Sequence, residues 1–171
     1  MRASETAEMI FEDCRIHENQ ILGNVGDGFI QAMKVLDGGR ISIAALSLGI
    51  AKGAFEASVK YAQEREQFGK PILNFPAVAD MLITMKVDLE SSRTLIYATA
   101  RAVDMHKVSD MEMTRLKEAG ESFAEMKDQA KHWKAMADFL TPLSKFIISE
   151  KANHICYDAI QIHGGTGYMQ E

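Results

Sequence analysis

An all-α fold is predicted for this chain: an up-and-down antiparallel helical bundle, truncated, behind a short N-terminal extended segment. Two observations carry that expectation. Apolar residues recur at three- and four-residue steps along three long stretches, the period of one face of an α-helix. Eleven methionines accompany only three prolines and 8% aromatic residues, a mixture suited to long helices with adaptable packing surfaces rather than to sheets.

Residues 1–27 stand apart from the helical pattern. "AEMIFEDCRI" places apolar side chains at Met9 and Phe11, then at Cys14 and Ile16 after a charged pair. That predicts a short strand with an irregularity near Asp13. A lone strand leaves backbone donors unpaired, so this one reads as the tail of a sheet whose other strands lie upstream. "LGNVGDGF" follows, with three glycines in six positions, as a turn into a helix.

From Phe29 the helical period runs through Met33, Leu36, Ile43, Leu46, Ile50, Ala54 and Tyr61, predicting one helix of about ten turns. Gly49 and Gly53 are small enough to let another helix approach closely. "QFGKPILNFP" ends it, with Gly69 as the residue just past the helix and Pro71 forbidding continuation. A second helix is expected from Pro76, tolerated in a first turn, through Met81, Met85, Leu89 and Leu95 to about Met105.

Residues 108–131 are strongly polar, with opposite charges at helical spacing and a glycine at Gly120. They read as an exposed, partly helical excursion. A third helix, 132–162, is marked by Met136, Phe139, Leu140, Leu143, Ile147, Ile148 and Ile155, and Pro142 inside it predicts a kink. Three long helices with short links make most of a bundle, so the helical domain is assigned to 28–171 with its last helix expected to be missing.

Composition narrows the partners. A content of 47% hydrophobic and 25% charged residues is ordinary for a soluble globular chain. The formal net charge of -5, with no compensating stripe of Lys and Arg, argues against nucleic acid and for small molecules or proteins. Cys14 and Cys156 lie far apart without a C-x-x-C spacing or a His cluster, so neither a disulfide framework nor a metal site is expected, and a reduced intracellular compartment fits. No apolar run is read as approaching the roughly 18 to 20 residues of a membrane span.

Three stretches could carry chemistry: "LDGGRIS" (36–42), "EREQFGKPI" (64–72) and "QIHGGTGY" (161–168). In the first, Asp37 and Arg40 stand one turn apart and can form an intrahelical ion pair. In the second, Arg65 at a helix end offers planar donors suited to a pyrophosphate, or equally a cap for the helix C-terminus. In the third, adjacent glycines after a helix permit positive φ and close approach of a ligand, or serve only as a helix stop. It is not a P-loop, because no Lys-Ser/Thr pair follows it. His163 reads as a positioned loop residue rather than a proton shuttle.

Taken in order, with "TAEMIFEDCRI" and "NQILGNVGDGF" ahead of them, these stretches resemble the C-terminal domain of the acyl-CoA dehydrogenase family, flavoenzymes that desaturate acyl-CoA thioesters between the α and β carbons. The likeness covers nearly the whole chain and makes residues 1–27 a remnant of the family's middle β-domain and linker. It implies substrate contacts at Asp37, Gly38, Gly39 and Arg40. It implies FAD contacts at Arg65, Gln67 and Phe68 toward a neighbouring subunit, and at Gln161, Ile162, His163, Gly164 and Gly165 across a dimer interface. It further implies an acyl-CoA substrate, an electron-transfer flavoprotein or similar acceptor, a homodimer or homotetramer, and a bacterial cytoplasm or mitochondrial matrix.

Two departures bear on chemistry. Some members of the family place a catalytic glutamate just before this arginine, where Gly39 has no side chain; in most the glutamate lies tens of residues beyond the G-G-x-G-Y signature, past Glu171. No catalytic residue is therefore assigned, and the polypeptide alone is expected to lack dehydrogenase activity. Many relatives also carry a flavin-contacting glutamine where this chain has Pro76. The competing expectations are a non-catalytic helical oligomerisation module, and an acyl-CoA oxidase or enoyl-CoA reductase of the same superfamily.

Overall fold

The structure, a computed structural model, describes residues 7–169. The chain divides into two compact units, Met1–Val35 and Leu36–Glu171. In the first, residues 7–16 form no strand, which corrects the expectation for "AEMIFEDCRI". Alternation fixes which side chains share a face, but a strand exists only when a neighbour takes its backbone hydrogen bonds. The irregularity expected near Asp13 is present as a positive φ of 47°. A single 3-10 turn, Glu18–Gln20, is held by a capping box in which the His17 side chain accepts from the Asn19 amide and the Gln20 side chain accepts from the His17 amide. The glycine-rich turn is real: Gly23 has φ +78°, and the Gln31 side-chain Nε2 donates to the Leu22 carbonyl at 2.6 Å.

Three long helices dominate, α1 (Gly28–Glu64), α2 (Pro76–Ala119) and α3 (Ala124–His163). Between α1 and α2 lies a minimal antiparallel hairpin, β1 (Glu66–Gln67) and β2 (Lys70–Pro71), and then a 3-10 turn, Ile72–Asn74. The hairpin loop is Phe68-Gly69, with φ of 52° and 78°. Positive φ at both central residues is the turn whose twist matches paired strands. Gly69 is thus a hairpin residue, not the residue just past α1, which ends earlier at Glu64. Pro76 occupies the first turn of α2 as predicted.

The polar segment 108–131 is more ordered than its composition implied. α2 continues to Ala119, Gly120 closes it in the left-handed region with its N–H donating to the Leu116 and Lys117 carbonyls, and α3 starts at Ala124. Ion pairs one turn apart, such as Arg115–Glu112 at 2.7 Å, and good helix formers carry the helices through the region where apolar periodicity fades. α3 then passes through Pro142 without a break in its assignment.

Within the second unit, the core is built from small residues at seven-residue spacing. α1 buries Ala44, Ala51 and Ser58, α3 buries Ala130, Ala137 and Ser144, and α2 fills the space between with Leu82, Met85, Leu89 and Ile96. Small side chains at that period let helix backbones come close, and each large buried aliphatic contributes about 1.5–3 kcal/mol. Thr99 and Ser144, both fully buried, hydrogen-bond across α2 and α3; since the Thr99 hydroxyl donates to the Leu95 carbonyl at 2.8 Å, Ser144 is the donor of the pair. Lys151 reinforces the same contact, at 2.7 Å from Asp88 and 2.8 Å from the Ser91 hydroxyl.

The large apolar residues predicted for α1 mostly stay open: Leu36 is 58% exposed, Leu46 60% and Ile50 55%. No atom lies within 4 Å of where a Cβ would stand on Gly49 or Gly53, so these glycines do not admit another helix among the described residues. Periodicity names the apolar face of a helix but not what covers it. Likewise Phe139 on α3 is 65% exposed. α1 also contains an eighteen-residue window of mean hydropathy 1.2, enough on length and composition alone to cross a membrane. The helix is nevertheless not one unbroken apolar run, since it carries charged pairs such as Lys52–Glu56 at 3.6 Å.

Candidate cofactor and substrate clefts

Two clefts in the second unit gather most of the singled-out residues. One, of about 410 Å³, forms where the C-terminal end of α1 and the hairpin meet the C-terminal end of α3. Arg65, Gln67, Ile162, His163, Gly164 and Gly165 line it, together with Tyr61, Thr166 and Met169. Residues 96 positions apart in the chain, Arg65 and Gln161, therefore belong to converging elements even though Gln161 is not itself in the lining.

Each element has a local reason to be there. The Arg65 amide donates to the Tyr61 carbonyl at 2.8 Å, and the Ile72 amide donates to the Arg65 carbonyl at 2.8 Å, so the arginine backbone is pinned on both sides. At the other wall, Gly164 closes α3 with φ 60° and ψ -132°, its N–H donating to the Gln161 and Ile160 carbonyls. Only glycine adopts that conformation without strain. A 3-10 turn, Gly164–Gly167, follows. His163 is fixed too: its Nδ1–H donates to the Ala159 carbonyl at 2.7 Å, and its ring stacks on Tyr61 with centroids 4.4 Å apart.

Phe68 and Ile162, both singled out, differ widely in exposure. Phe68 is not in the lining and is 92% exposed, edge-on to Phe75 at 6.2 Å. Ile162 lines the cleft but is 5% exposed and packs in the core. Sequence reasoning missed Gly167, where a Cβ would stand 2.7 Å from the Ile160 carbonyl oxygen. The spacing G-G-T-G was visible, but which glycine is held by close packing and which by φ depends on how the turn folds back on α3.

The second cleft, about 600 Å³, is lined from α1 by Asp37, Gly38 and Arg40, from α2 by Asp104, His106 and Lys107, and from α3 by Asp138 and Thr141. Arg40 and Asp37 pair at 3.0 Å as their spacing predicted, with both side chains well exposed, so the pair itself contributes little to stability. Gly39 does not line the cleft. The α2 and α3 contributors escaped sequence reasoning because nothing in one helix's pattern reports its register against another. The Nδ1 atom of His106 is buried and has no hydrogen-bond partner. Along α1, residues 37 and 65 are separated by roughly 40 Å at 1.5 Å per residue, so the two clefts are distinct. Among the described residues no group of three His, Cys, Asp or Glu side chains is placed to hold a metal ion.

Comparison with known proteins follows the same outline. A probable acyl-CoA dehydrogenase, YngJ, of Bacillus subtilis is 39% identical over 171 residues, covering 100% of this chain and 38% of that protein. The caffeyl-CoA reductase-Etf complex subunit CarC of Acetobacterium woodii is 38% identical over 166 residues, covering 97% of this chain and 36% of that protein. The crystal structure of an acyl-CoA dehydrogenase complexed with FAD from Bacillus anthracis superposes with a TM-score of 0.72 at 30% identity, over 94% of this chain and 26% of that one. The chain thus spans little more than a third of the curated relatives it matches. The model of the acyl-CoA dehydrogenase C-terminal domain matches residues 26–126, more than half of the sequence, and the chain belongs to the acyl-CoA dehydrogenase family.

Proposed function

We propose that this chain is the C-terminal part of an FAD-dependent acyl-CoA dehydrogenase acting on acyl-CoA thioesters, and that its two clefts serve different ends of that chemistry. The observation that carries the reading is the convergence of Arg65 and Gln67 with the Gly164-Gly165 turn in one cleft, some 40 Å along α1 from the Asp37–Arg40 cleft. The first cleft fits the adenosine diphosphate end of FAD. Arg65 supplies bidentate donors for a pyrophosphate, and its charge opposes the negative ends of α1 and α3 that meet there. Gly165 has open space where a Cβ would stand and no positive φ, so its lack of a side chain serves no contact within the described chain and leaves room for a ligand.

At the other cleft, Gly38 and Gly39 cost α1 roughly 1 kcal/mol each relative to alanine, yet beyond the helix's own adjoining backbone no atom of the described residues comes within 4 Å of either Cβ position. That space suits a thioester or the pantetheine arm of CoA lying against the helix, with Asp37 and Arg40 addressing its polar groups. Gly39 offers no carboxylate, so the base that removes the α proton comes from another residue. FAD, when bound, would supply the hydride acceptor for the β carbon.

The two clefts thus address the ADP end of FAD and the CoA arm of the substrate from far-separated parts of α1, and the apolar row Ile43, Leu46 and Ile50 left open between them suits a second copy of the chain. The arrangement therefore supports a homo-oligomer in which each copy contributes to two sites, with an electron-transfer flavoprotein as the redox partner and a bacterial cytoplasm or mitochondrial matrix as the setting. A second reading follows from the A. woodii relative named as a reductase subunit: the same sites running toward saturation of an enoyl-CoA. Assays of the full-length protein with saturated and α,β-unsaturated thioesters separate the two directions. Replacement Arg65→Gln in that protein is expected to weaken FAD binding at least tenfold, measured by flavin fluorescence. Unchanged affinity would overturn the assignment of the first cleft.

A further inference from the structure

The cleft assigned to FAD contains one side chain that touches both of its walls and that the sequence marked only as part of a helix's apolar period. We infer that Tyr61 is a positioning residue that holds the two halves of the cofactor cleft in register; the inference rests on the FAD reading of that cleft. Tyr61 lies in the last turn of α1, one turn before Arg65, whose amide donates to the Tyr61 carbonyl at 2.8 Å. Its ring stacks on His163 with centroids 4.4 Å apart and an interplanar angle of 25°. Its hydroxyl lies 3.4 Å from Thr166 Oγ1 and is the donor there, since the Thr166 hydroxyl gives its own proton to the His163 carbonyl at 2.8 Å.

These contacts make Tyr61 a bridge. Its backbone sets where the hairpin carrying Arg65 and Gln67 begins. Its side chain grips the end of α3 at His163 and the following turn at Thr166, on either side of Gly164 and Gly165. Those glycines have no side chain within which to store a preferred geometry, and a glycine pair is the most pliable point in the wall. Thr166 also bonds back to the His163 carbonyl at 2.8 Å, and His163 is itself tied to Ala159. Tyr61 thus fixes the turn from outside while those bonds fix it from within. A diphosphate gripped on one side by Arg65 and approached on the other by the glycine turn needs that spacing set before it binds, because ordering a loop on binding subtracts from affinity.

The test uses the full-length protein and reads the FAD dissociation constant beside the melting temperature for wild type, Arg65→Gln, Tyr61→Phe, Tyr61→Leu and Thr166→Val. Tyr61→Phe keeps the stack and loses only the hydroxyl, so it is expected to weaken FAD about two- to fivefold; Tyr61→Leu loses both and is expected to weaken it more than tenfold. Tyr61→Phe and Thr166→Val break the same bond, so their double variant should bind no worse than the weaker single variant. If Arg65→Gln weakens FAD while Tyr61→Leu and Tyr61→Phe change only the melting temperature, the positioning role is overturned and the cofactor reading stands. If Arg65→Gln leaves FAD affinity unchanged, the cofactor reading falls and this inference with it. Should Tyr61→Leu fail to fold, Tyr61→Phe and the double variant decide the matter.

Discussion

Glycines that look alike in the sequence have different physical duties in the turn after α3. Gly164 is needed for its positive φ, Gly167 because a Cβ would meet the Ile160 carbonyl oxygen at 2.7 Å and the His163 Cβ at 3.1 Å, and Gly165 for neither reason. Gly167→Ala is therefore expected to destabilise the fold by about 1–3 kcal/mol, since the obstructing atom is helix backbone that yields only by moving the turn. Gly165→Ala should leave stability within about 0.5 kcal/mol while weakening FAD. Thermal melts of the two variants beside a flavin titration check both statements; equal destabilisation by the two would show that packing alone explains the motif. Of this turn, the sequence made the glycines visible as a group. It could not rank them, because a close approach is a property of two segments.

At the scale of elements, α2 is held together along its length by charge as well as by burial. Glu90 lies between Lys86 and Arg93, and hydrogen bonds first from Lys86 and then from Arg93 hold its carboxyl below the usual carboxylate range. Glu112 is lowered in the same direction, chiefly by its hydrogen bond with Arg115. A carboxylate whose folded pKa is depressed stabilises the fold above its unfolded value, near 4.5, and that contribution is lost as pH falls through the folded value. Both groups are exposed, so the effect is modest and screened by salt. Melts from pH 7 down to pH 3 should show falling stability below about pH 4.5, with a shallower fall in the Glu90→Gln, Glu112→Gln double variant. Identical acid profiles would remove these pairs from the account. Of these, the Glu112–Arg115 pair was legible in the opposite charges at helical spacing within residues 108–131, whereas the Glu90 pairs were not singled out. That this charged segment continues α2 up to Ala119 instead of belonging to a loosely ordered excursion was not legible, because the loss of apolar periodicity masked strong helix propensity.

For the whole molecule, the decisive feature is how much of α1 remains open. Ile43, Leu46 and Ile50 are 47%, 60% and 55% exposed on a helix that also presents Gly49 and Gly53 with nothing near them. Scattered apolar side chains are ordinary on a surface, but a continuous row along one helix marks a contact surface. Sedimentation velocity on this polypeptide at micromolar concentration is expected to show self-association, and replacing Leu46 and Ile50 with glutamate should shift it toward monomer. A stable monomer in the unsubstituted chain would contradict that expectation.

The sequence by itself determined the helical class, the positions of α1 and the start of α2, the turn after α3, the Asp37–Arg40 pair and, through the order of its motifs, the family. Those features rest on local chemistry: period, caps, turn residues and spacing within a turn. Only the tertiary structure decided that small residues at Ala44, Ala51, Ser58 and Ser144 form the core seam while larger neighbours stay open. It likewise decided that Phe68-Gly69 turns a hairpin, that Asp104, His106 and Asp138 join Asp37 in one cleft, and that Tyr61 meets His163. The physical reason is the same in each case. One helix's pattern records what it can bury, whereas the register between helices and hairpin is set by how several surfaces fit at once.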